Sequence, residues 1–139
     1  MANTLYDIAR KRYAEGAQDW RETSPGVMSV HLISTASYTF DATDPDIREF
    51  VPGAKIAGPV DLAGATVTTN GAVDANDVTF TAVSGVAIQA ILIYRRVSGD
   101  DTVSYLQAWI DTATGLPITP NGGDIIVTWD NGNTRIFRL

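Results

Sequence analysis

The chain has 139 residues, 45% hydrophobic and 19% charged, a balance that suits one folded domain and is too apolar for a disordered segment. Ten basic against sixteen acidic side chains leave a net charge of −6, so the average surface field repels nucleic-acid phosphates. Cysteine is absent, which excludes disulfides and thiolate metal sites and leaves stability to packing and to neighbouring molecules.

At the N-terminus, Met1-Ala2-Asn3-Thr4 runs straight into a helical pattern without the charged and apolar regions of a secretion signal. No apolar run approaches the ~20 residues of a membrane span. The expectation is a protein folded in a cytoplasm, with neither membrane nor nucleic acid as partner. Residues 1–16 read as an amphipathic helical arm. Thr4 is its expected cap, Leu5, Ile8, Ala9 and Tyr13 form its apolar stripe, and Gly16 ends it. A β body is expected over 27–139. Its first strand, Val27 to Ile33, sets Met28, Val30 and Leu32 on one face and Ser29 and His31 on the other, the pattern of a half-buried strand. Tyr38 to Phe40 extends that alternation.

Asp41 to Phe50 reads as a second small helix, with Asp44 as cap, Pro45 at the first helical position and Pro52-Gly53 as the stop. Strand-like pieces follow at Ala54 to Ala57, Ala65 to Thr69 and Val78 to Val83, with a turn at Asn70-Gly71. The run Ala87 to Arg96 is apolar on both faces and belongs at the centre of a sheet. Gly99-Asp100-Asp101 turns the chain back into Val103 to Asp111 as an antiparallel partner, with Leu106, Ala108 and Ile110 opposing Tyr105, Gln107 and Trp109. Thr112 to Gly123 carries too many Gly and Pro residues for a regular element and reads as an ordered loop. Asp124 to Trp129 and Thr134 to Leu139, joined by Asn131-Gly132, form the expected last hairpin. The sum is a mostly β domain, an antiparallel sandwich or flattened barrel with two short helices.

Little in this sequence points to bond-breaking chemistry. His31 is the only histidine, sits mid-strand on the polar face, and has no nucleophile motif beside it. The clusters Asp41-Asp44-Asp46 and Asp74-Asp77 supply hard oxygen atoms of the kind calcium favours. They lack the spacing of a calcium-binding loop, and turn capping explains them more simply. No catalytic, cofactor or metal residue is therefore assigned. Arg95-Arg96, with Arg135 and Arg138, are the basic concentrations of the second half, and Arg95 and Arg96 are candidates for contact with an acidic neighbour. Trp20 and Trp109 would carry an alternative reading, a carbohydrate-binding adhesion module.

Several segments carry a resemblance. Met1-Ala2-Asn3-Thr4-Leu5-Tyr6-Asp7, Asp77-Val78-Thr79-Phe80 and Ile110-Asp111-Thr112-Ala113-Thr114-Gly115-Leu116-Pro117 belong to it, as does Thr119-Pro120-Asn121-Gly122-Gly123-Asp124. It runs on through Val127-Thr128-Trp129-Asp130-Asn131-Gly132 to Ile136-Phe137-Arg138-Leu139. Together they resemble a family of small structural proteins of tailed-phage and prophage virions. The resemblance implies a component of the assembled particle that is not an enzyme. Within the particle it implies a capsid decoration, or cement, protein bound to the major capsid protein lattice. A neck or tail connector is the alternative position. Homo-oligomers within the particle are expected. Contacts are expected from the N-terminal helix, through Leu5, Ile8 and Tyr13, and from the loop after Asp111, through Leu116 and Ile118.

Overall fold

The two most apolar stretches of the chain lie side by side. A computed structural model, which describes residues 3–133 and 135–139, pairs Gly26–Ile33 with Ala90–Val97 antiparallel, from Gly26↔Val97 to Ile33↔Ala90 without a break. In chain order the strands are β1 (Thr4–Leu5), β2 (Gly26–Ile33), β3 (Lys55–Asp61), β4 (Thr66–Val67), β5 (Ala72–Asp74), β6 (Val78–Phe80), β7 (Ala90–Val97), β8 (Leu106–Ile110), β9 (Ile125–Val127) and β10 (Phe137–Arg138). One α-helix, α1 (Asp7–Ala14), and 3-10 turns at Ile47–Glu49, Pro52–Ala54 and Asp101–Val103 complete the elements of the described residues. The protein is mostly β with antiparallel sheets. The main sheet has the order β1-β8-β7-β2-β3; β10-β5-β4 and β6-β9 form two smaller sheets.

Alternation along β2 and β7 gives the main sheet two apolar faces, and both are covered. Val30, Leu32, Ile91, Ile93 and Ala108 pack against Trp20, Val73, Phe80, Val127 and Trp129, contributed largely by the small sheets. On the other face, Ile33, Leu92, Tyr94, Leu106 and Trp109 meet Tyr6, Tyr38, Ile47 and Phe50, from the start of the chain and the 38–50 segment. Each fully buried side chain of this size contributes about 1.5–3 kcal/mol. β2 is thus buried on both faces instead of one, and Ser29 and His31 are inside.

Several sequence expectations are corrected. The helix begins at Asp7, not after a Thr4 cap, because Thr4 and Leu5 pair with Trp109 and Ala108 at the edge of β8, so strand pairing replaces the local cap. Asp7 in its first turn, Lys11 and Arg12 in its last, and Gly16 just beyond it at φ +71° suit its dipole and its end. The second helix is one 3-10 turn capped by Asp46, whose side chain accepts from the Arg48 N–H at 3.1 Å, while Asp44 accepts from the Tyr38 hydroxyl at 2.8 Å. Tyr38 and Phe40 lie outside the strands and stack on Phe50 and Trp109.

The β7–β8 hairpin forms as expected, but its register slips between Ile93↔Ala108 and Tyr94↔Leu106, leaving Gln107 as a bulge. The slip puts Leu106 and Trp109 on the same face. The expected last hairpin does not form: β9 pairs with β6, and β10 with β5. An Asn-Gly turn favours a hairpin only where the flanking segments have no better partner, and here both do. Thr134 and the Met1-Ala2 opening lie outside the described residues.

Candidate interaction site

The seven residues nominated for contact fall into different roles. Leu5 is buried in the chain's own core and Ile8 is half-buried against the Tyr6 side of it, so neither is a free anchor. Tyr13 is half-buried, its ring edge-on to Phe137 with centroids 6.2 Å apart, and its hydroxyl has no hydrogen-bond partner among the described residues. Burial raises its pKa.

Arg95 is inside. Its Nε and Nη2 donate to Glu22 at 2.7 and 2.8 Å, and Nη1 donates to the Val103 carbonyl at 3.0 Å. The Arg95 hydrogen bond, more than its charge, holds the Glu22 carboxyl below the usual range. Arg96 makes a half-exposed fork to Asp61 at 3.0 and 2.7 Å. Both guanidinium groups are therefore satisfied within the chain. Arg135 and Arg138 do not join them; Arg135 pairs with Asp74 at 3.0 Å and Arg138 donates to the Asn70 carbonyl at 3.0 Å.

The other chemically suggestive residues also have structural partners. His31 is buried, stacked on Tyr94 with ring centroids 5.4 Å apart, its Nδ1 3.1 Å from the Ala57 carbonyl, so in its neutral form Nδ1–H is the donor. Burial, helped by the Lys55 charge, lowers its pKa to about 4. This corrects the surface placement expected from the strand pattern. Asp41 accepts from Thr43, Asp77 from the Trp129 N–H, and Asp74 from Ala75 and Arg135. Among the described residues no group of three or more His, Asp or Glu side chains is arranged to hold a metal ion. Trp20, Trp109 and Trp129 are 1%, 1% and 6% exposed, so none offers a face for sugar stacking.

Leu116 and Ile118 come together at a cleft. Ile118 exchanges backbone hydrogen bonds with Ile88 in both directions, at 2.8 and 2.9 Å, and the Leu116 N–H bonds to the Ala113 carbonyl, so the expected loop is braced. That loop forms one wall of a cavity of about 310 Å³. The unbroken run Ile125 to Asp130, with Arg135 and Ile136, also lines it, as do Leu32, Ile91 and Ile110 of the main sheet. Asn3 closes one end, its side chain accepting from the Asp111 and Thr112 N–H groups and donating to the Thr112 carbonyl, each at 3.0 Å, which continues the β1–β8 pairing by one side-chain rung.

The sequence pointed to the loop wall but not to the β9 wall. The missed signal is Ile125-Ile126-Val127: three successive apolar residues in a short strand require one to face away from the core, and Ile126 is 64% exposed.

No protein-family model and no curated protein matches the chain. Among the described residues no helix is long and apolar enough to cross a membrane.

Proposed function

We propose that the chain is a structural component of a tailed-phage virion, a capsid decoration protein that binds the major capsid protein lattice and performs no catalysis. The observation that carries the reading is the braced apolar cleft between residues 112–118 and 125–130, which is suited to bury a neighbour's side chains. Leu116 and Ile118 stand in its wall, and the sequence segments on both sides of it carry the resemblance to virion proteins. The acidic surface suits a many-copy component that has to stay soluble and off the packaged genome.

Quantitative mass spectrometry of purified particles tests the proposal. A copy number matching the capsid lattice is expected. The small number of a neck ring would move the protein to the connector, and absence from particles would overturn the virion assignment.

A further inference from the structure

Resting on the reading of the chain as a binding module, we propose that the cleft receives an extended segment of a different protein. The segment adds a strand to β9, seats one bulky apolar side chain above Leu32 and Ile91, and sets a lysine or arginine against Asp130.

The first ground is the shape of the cleft. Six consecutive residues, Ile125 to Asp130, line it, the first three forming β9, so a strand edge, and not one face of a strand, looks into it. β9 has β6 on one side and, among the described residues, no strand on the other. Such an edge offers main-chain hydrogen bonds to an incoming strand, with alternate side chains entering whatever pocket lies beside it. The pocket here reaches Leu32 and Ile91, residues of the central strands, and its volume suits one large side chain.

The second ground is that the main sheet's edges are poor alternatives. β1 has two residues and leads directly into α1, while β3 carries Gly58-Pro59 in mid-strand and two register irregularities against β2. Proline cannot donate to a new ladder, and irregular edges resist pairing.

The third ground, charge, selects the occupant. Asp130 and Arg135 are the ionisable residues of the lining, and Arg135 is bound to Asp74. Asp130 is exposed; it accepts the Gly132 N–H at 3.0 Å and has no ion pair among the described residues. A basic residue beside the apolar anchor therefore completes the site. A second copy fits poorly: β7 lies inside the main sheet, the edge strand β10 has two residues and its Arg138 is bonded to the Asn70 carbonyl, and the lysine-bearing edge strand β3 is interrupted by Gly58-Pro59.

The test is selection of a random peptide library on the immobilised full chain. Peptides alternating apolar with Lys or Arg residues are expected, and their binding should slow hydrogen exchange at the amides within residues 125–130. Methylating alternate peptide nitrogens should abolish binding. Asp130→Asn, which keeps the acceptor for Gly132, should weaken binding about threefold, the range of an exposed ion pair, and Asp130→Lys by about tenfold.

The proposal is overturned if no peptide is enriched, if binding ignores both the N-methyl groups and Asp130, or if protection maps elsewhere. Concentration-dependent protection of the same amides without peptide would identify a second copy as the occupant and overturn it too. Failure here with the protein present in particles would sink only the cleft. Peptide capture with the protein absent from particles would sink only the virion reading.

Discussion

Glu22 shows how much of this molecule rests on single polar contacts. Its carboxylate accepts a two-pronged bond from Arg95 and further bonds from Gln18 and the Gly26 N–H, tying the segment after α1 to the centre of the sheet. With the two side chains 16% and 10% exposed, Glu22→Ala leaves an uncompensated guanidinium and should lower stability by about 3 kcal/mol. The double change Glu22→Leu with Arg95→Met should cost clearly less, as urea titration of all three variants will show. Gly58 is a second such point. Its φ is +105°, and a Cβ there would lie 2.5 Å from the Val30 carbonyl and 2.9 Å from His31 Nδ1. Gly58→Ala should destabilise by about 2 kcal/mol or more, read in the same way.

His31 makes the molecule sensitive to acid. It is neutral when folded down to about pH 4 and takes up a proton near pH 6.5 when unfolded. Its contribution is therefore complete above pH 6.5, falls as pH drops from 6.5 to about 4, and stays constant below. The loss is roughly 3 kcal/mol, and His31→Gln should flatten that part of the stability profile. None of these three roles was legible in the sequence. Glu22 and Arg95 are 73 positions apart, and the His31 side of β2 reads as polar until the 38–50 segment is seen covering it.

At the scale of elements, local pattern was a good guide where a segment's nearest neighbour in sequence is also its partner. The β7–β8 hairpin is such a case, and the Asn70-Gly71 turn joins β4 to β5, a short strand that the sequence reading left out. It misled where a distant edge competed. Thr4 reads as a helix cap but pairs with Trp109, and the Asn131-Gly132 hairpin gives way to β9–β6 and β10–β5 pairing.

The same fact revises the role of residues 1–16. They hold an edge strand and bury Leu5, Tyr6 and Ala9, so they are part of the body and not a detachable arm. Their deletion should lower the thermal midpoint sharply or prevent folding, measured by circular dichroism. A deletion variant that melts like the full chain would contradict the packing of β1 on β8. The cleft was half legible: the Gly- and Pro-rich stretch announced a braced loop, but the β9 edge depends on which strand β9 chooses, and that choice is not local.

The whole molecule is a main sheet covered on both faces, one by small sheets and the other by the start of the chain and the 38–50 segment. All three tryptophans fall inside this arrangement. Their fluorescence should be blue-shifted, resist quenching by acrylamide, and shift to the red in one cooperative step on unfolding. An early partial quench of one tryptophan would show that a covering layer detaches separately.

The pairing of Thr4 with Trp109 also sets an order of events during synthesis. Roughly a hundred residues have to leave the ribosome after Thr4 before the first strand meets its partner, and β5 in turn waits for about sixty more after Val73 before β10 arrives. The nascent polypeptide therefore carries unsatisfied apolar strands over these intervals, a period in which holdase chaperones, not tertiary structure, have to keep it from clumping.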